Sequence, residues 1–181
     1  MKCLVVKNTT MYYNYSMNKV INIKNKKAIK EIRQLGDKLL SNSDVKFENV
    51  HLRRLNEIMA YDVFSKNDLY INSVTLWELM QPLGQAGSHN YHGLIAEDIY
   101  AAVNAIETPY CIFKIKYGRY AVVPVYISSC NNPIMIVIEI GAGLVANKNA
   151  NINKIVTMYP KSDIDNLLKK LDEKDILFKK K

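Results

Sequence analysis

The stretch Cys111-Ile112-Phe113-Lys114-Ile115-Lys116-Tyr117-Gly118-Arg119-Tyr120-Ala121-Val122-Val123-Pro124-Val125-Tyr126-Ile127-Ser128 decides the fold. Before it, apolar residues recur at helical spacing. Within it, apolar and polar positions alternate, Gly118 supplies a turn, and valine and tyrosine accumulate, as in a β-hairpin. Asn131-Asn132-Pro133 marks a second turn. Ile134 to Ile140 then reads as a buried central strand, since an apolar run of that length suits a strand covered on both sides. Beyond a Gly/Ala/Asn loop at 141–151, Ile152 to Tyr159 reads as a fourth strand, stopped by Pro160.

Working outward, Ile95 to Ile106 predicts a helix that Thr108-Pro109 ends, because the residue before proline disfavours helical backbone. Ser73 is placed to cap a helix through Leu76, Trp77, Leu79 and Met80. Leu69 to Ile71 predicts a short strand. Helical spacing also marks 26–40 and about His51 to Phe64. After Pro160, Ser162 caps a last amphipathic helix carrying Ile164, Leu167, Leu168 and Leu171. The expected fold class is α+β: N-terminal helices, a four-stranded antiparallel meander, and a C-terminal helix. Residues 1–72 form an N-terminal helical segment, alone or within the same domain, and 73–181 the α+β domain.

Composition narrows the function classes. The 181 residues are 49% hydrophobic and 23% charged, ordinary for a globular protein. The apolar run Pro133 to Ile138 is far too short to span a bilayer, and Met1 to Lys7 lacks the pattern of a secretory signal. Cys3, Cys111 and Cys130 are odd in number and widely spaced, which fits a reducing cytoplasm rather than a disulfide framework. A net charge of +8 favours polyanions, although a lysine-, asparagine- and isoleucine-rich chain with arginine only at 33, 53, 54 and 119 also follows from AT-rich coding. Part of the excess lies in Lys179-Lys180-Lys181, which reads as a solvated tail.

Three groups of residues could carry chemistry. The first is the loop Gln81 to Gly93, where His89 and His92 lie three residues apart. Two imidazoles can act as base and acid near neutral pH, which RNA cleavage through the ribose 2′-hydroxyl requires. Packing of one histidine on Trp77, or a helix-capping role, is the plainer reading. Zinc lacks a third nearby ligand, His51 being distant in sequence, and no cofactor is expected. The second group is Lys114 and Lys116 on one strand face, opposite Phe113, Ile115 and Tyr117, with Arg119 at the turn; these cations could hold a phosphate or simply keep an outer face soluble. In the third, alternation gives Asn153, Ile155, Thr157 and Tyr159 one face, and the Thr157–Tyr159 hydroxyls could stabilise a phosphorane. Glu139 is either a buried base or the exposed end of its strand.

The string Gly87-Ser88-His89-Asn90-Tyr91-His92-Gly93-Leu94, the following helix, Thr108-Pro109, three alternating strands and Ile155-Val156-Thr157-Met158-Tyr159-Pro160 together resemble the phage branch of the barnase–EndoU–colicin–RelE superfamily of RNases. The resemblance covers about Ser73 to the C-terminus. It implies metal-independent endoribonuclease activity in a toxin or phage effector. His89 or His92 with Thr157 and Tyr159 would be active-site residues, and Lys114, Lys116 and Arg119 would contact RNA phosphates. RNA is then the expected partner, with a cognate inhibitor (antitoxin or immunity) protein as a candidate second one. A non-catalytic RNA- or protein-binding module is the alternative.

Overall fold

A computed structural model describes residues 30, 34, 49–54, 68–82, 91–142 and 152–180. It is α+β, built on one seven-stranded sheet: β1 (Asn49–Arg54), β2 (Asp68–Asn72), β3 (Pro109–Lys114), β4 (Arg119–Pro124), β5 (Ile134–Ala142), β6 (Ile152–Pro160) and β7 (Ile176–Lys179). Helix α1 is Ser73–Met80, α2 is Ala96–Asn104 and α3 is Ile164–Lys169. The strand order is β1-β2-β6-β5-β4-β3-β7.

The expected four-stranded antiparallel sheet is therefore corrected to seven strands with mixed pairing. β3, β4, β5 and β6 do run antiparallel in succession. β7 adds antiparallel to β3, β2 adds parallel to β6, and β1 pairs antiparallel with β2. Of the expected helix from His51 to Phe64, residues 51–54 are strand instead, because pairing with β2 overrides a local periodicity of so few residues. The rest of that helix lies outside the described residues. In the expected helix at 26–40, the described residues Lys30 and Gln34 are helical.

Two cores sandwich the sheet. Leu69, Ile71, Ile112, Val122, Ile134, Ile136, Ile138 and Ile155 face Leu76 and Leu79 of α1 and Ile99, Ala102 and Val103 of α2. On the other face Cys111, Phe113, Ala121, Val123, Met135 and Val137 pack under Ile164 and Leu168 of α3. Five consecutive buried residues, Ile134 to Ile138, follow from β5 being covered on both sides. Burial pushes the Cys111 thiol up to about 12, so it serves there as a small apolar group.

In α1 and α3 the cap is the residue beside the expected one. Asn72 accepts from the Val74 N–H at 2.9 Å, while Ser73 is buried; Asp163, not Ser162, caps α3 through the Asn166 N–H at 3.4 Å. β3 stops at Lys114, earlier than expected, and 116–118 forms a 3₁₀ turn in which Tyr117 and Gly118 have φ of 64° and 68°. A side chain at 118 would meet nothing within 4 Å. Gly118→Ala should thus cost roughly 1–2 kcal/mol from left-handed backbone alone, read as a lowered urea midpoint; an unchanged midpoint would refute the backbone argument. Lys179 belongs to β7 rather than to a free tail, with its amine 3.5 Å from Asp165 Oδ1. No helix among the described residues is long and apolar enough to cross a membrane.

Candidate active site at strand β6

The loop carrying His92 is clamped at its base. The Gly93 N–H donates to the Gln81 carbonyl at 2.7 Å and the Leu94 N–H to the Leu79 carbonyl at 2.9 Å. Gln81 Nε2 donates to the Trp77 carbonyl at 3.2 Å, and Tyr91 meets the Trp77 ring edge to face at 5.6 Å. Trp77 Nε1 is buried without a hydrogen-bond partner among the described residues. Leu94 anchors the strand of loop beyond, at 3% exposure, and Gly93 takes φ of 63° to make the bend. His92 is fixed from both sides.

That fixing brings it to β6. His92 Nε2 lies 3.2 Å from Thr157 Oγ1, and its ring centroid is 5.3 Å from that of Tyr159. β2 pairs with β6 only from Leu69↔Asn153 to Ile71↔Ile155, so Thr157 and Tyr159 lie past the end of β2, where the imidazole can reach the edge of β6. Removal from water lowers the His92 pKa below its ordinary value and raises that of Tyr159, both by penalising the charged form. His92 is therefore a neutral imidazole at pH 7. Neutral imidazole can accept a proton.

The face that Thr157 and Tyr159 share is not the one expected. Register shifts in the β5–β6 pairing between Val137↔Thr157 and Ile138↔Ile155, a bulge in β6. Ile155 and Met158 both enter the first core although three residues apart, while Val156 and Tyr159 lie against the second. An extra residue in one strand reverses the alternation beyond it. Asn153 and Ile155 are consequently on the α1–α2 side, and Tyr159 on the α3 side.

The remaining expected residues separate. His89 lies outside the described residues. Lys114 alternates with Phe113 and so projects from the opposite face to Tyr159; Lys116 is exposed in the 3₁₀ turn rather than on a strand. Arg119 alternates with Tyr120 and shares the α3-side face, where its Nη2 meets Glu139 Oε2 at 3.4 Å. Glu139 itself is 42% exposed, which rules out the buried base, and it lies within β5 rather than at the strand's end.

Four residues that sequence reasoning passed over share this face. Register places His51 opposite Tyr70, Tyr70 beside Lys154, Lys154 opposite Glu139, and Glu139 opposite Arg119, one cross-strand row through five strands. Leu69 and Ile71 enter the first core, so Asp68 and Tyr70 point the other way; Leu52 packs against that same core, which turns His51 to the α3 side. His51 Nε2 is 3.1 Å from Asp68 Oδ1, and its ring meets Tyr70 edge to face at 5.0 Å. The Leu69–Ile71 alternation was the available signal for Tyr70. Nothing in the local sequence announced the row, because it depends on parallel pairing with β6. Comparison of the chain with protein-family models, curated proteins and solved structures finds no match.

Proposed function

We propose that the chain is a metal-independent endoribonuclease of toxin or phage-effector type. An imidazole takes the proton from a ribose 2′-hydroxyl, O2′ bonds to phosphorus, and the P–O5′ bond breaks as O5′ is protonated. The products are a 2′,3′-cyclic phosphate and a 5′-hydroxyl. His92 is suited to the first step as a neutral, oriented base; Thr157 and Tyr159 offer O–H donors where charge builds on the phosphorane oxygens.

One observation carries this reading: His92, Thr157 and Tyr159 converge although 65 residues separate the first two. A binding role has its own support, because His92 and Thr157 already satisfy each other and Tyr159 is only part-exposed. Incubation with end-labelled RNA in EDTA separates the two. Fragments ending in cyclic phosphate are expected; retention of intact RNA without cutting would leave the binding module standing and remove the enzyme.

A further inference from the structure

The proposed cleavage requires a second proton-transfer group, and this inference rests on that reading. We propose that His51, oriented by Asp68, is the general acid, and that a single-stranded RNA lies over Lys154 between His51 and His92.

The Asp68 carboxylate accepts but cannot donate, so the hydrogen in the 3.1 Å contact resides on His51 Nε2. Nδ1 is left for chemistry, and in the imidazolium it carries the hydrogen that a departing O5′ needs. The pair is open to substrate, with side chains 49% and 41% exposed. A carboxylate that fixes ring orientation is the usual support for a working histidine.

Geometry joins His51 to the His92 cluster. His51 projects from the same face as Tyr159, two strands from β6, in register with Lys154 through Tyr70. Lys154 precedes Thr157 by three residues along β6. Strand spacing and rise put the His51 and Thr157 backbones on the order of 12 Å apart. Imidazoles leaning inward from such positions leave room for one phosphate. Lys154 stands at the corner between them, level with His51 across the sheet and three residues before Thr157 along β6, and Tyr70 offers an aromatic surface beside it for a base. Glu139, next in the row, is drawn toward Arg119 at 3.4 Å. Atoms balance: the 2′-hydroxyl proton passes to His92, the His51 proton passes to O5′, and solvent resets both rings.

The test uses the full chain and an RNA oligonucleotide with one cleaved bond, made also with sulfur replacing the bridging O5′. A thiolate leaves without being protonated. His51→Ala should lose about 10²-fold or more on the oxygen substrate and recover to near wild-type rate on the sulfur one, with an unaltered circular dichroism spectrum. His51→Gln serves if alanine fails to fold. Equal losses on both substrates, or no loss, would overturn the acid assignment while wild-type cleavage still upheld the enzyme. Failure of the wild type to cut either RNA would sink the parent reading, and this one with it.

Discussion

His92→Ala is expected to reduce RNA cleavage by about 10²- to 10⁴-fold, the range for loss of a positioned general base. The stability cost should be small by comparison, because the ring is part-exposed and its hydrogen bond goes to a hydroxyl 3.2 Å away. The rate profile adds a sign. Burial lowers the His92 pKa from 6.5, so the base is unprotonated at lower pH than a free imidazole would be. Activity limited by this group should rise with pH along a limb centred below 6.5. An ascending limb centred above 6.5, or a His92→Ala enzyme as fast as wild type, would remove His92 from the mechanism. Thr157→Val provides a useful companion: it keeps the strand and the shape but deletes the hydroxyl, and should slow cleavage without exposing the core.

The second large effect concerns stability. Asp98, 2% exposed near the start of α2, accepts three hydrogen bonds: from Tyr126 Oη at 2.8 Å, the Ser129 N–H at 2.9 Å and Ser129 Oγ at 2.6 Å. It ties the helix to the turn that leads into β5. That turn is otherwise held by Ser128 Oγ donating to the Asn132 carbonyl at 2.7 Å, with Asn131 at φ of 60°. Burial and then the Asp98 bond push the Tyr126 hydroxyl pKa well up, so it stays a donor across the working range. Asp98→Ala strands these donors and should cost about 3 kcal/mol, lowering Tm by roughly 2–4 °C per kcal/mol. Asp98→Asn keeps acceptor oxygen and should lose less. A loss under about 1 kcal/mol for alanine would show that water replaces the carboxylate without penalty.

Legibility in the sequence followed the range of the forces involved. The central strands and α2 were readable, since their periodicities arise from residues a few positions apart: Ile134 to Ile138 buried together, and Ile99, Ala102 and Val103 on one stripe. The helix caps were missed by one residue because Asn72 and Asp163 compete with adjacent serines for the same N–H groups. β7 was hidden by its four-residue length and its lysines, and β1 by an apolar spacing that also fits a helix. The site was half legible. Composition of the histidine loop pointed to His92, and strand-end hydroxyls to Thr157 and Tyr159, yet the face they share depends on a bulge that alternation cannot foresee. His51, Asp68 and Lys154 come together only through pairing across the sheet, which no local pattern encodes.

The parallel seam between β2 and β6 has a consequence for how the chain is made. Its partners, such as Leu69 and Asn153, stand more than eighty residues apart. At translation speeds of about 5–20 residues per second, β2 emerges seconds before the strand that will cover its flank. The β1–β2 pair must wait with the β2 edge unmatched, vulnerable to pairing with a neighbouring nascent chain. Sequence separation of this size also slows the search for native contacts. The segment from Ile152 to Pro160 therefore both covers that edge and brings Thr157 and Tyr159 to His92, so a ribosome-bound fragment ending before Ile152 would carry neither.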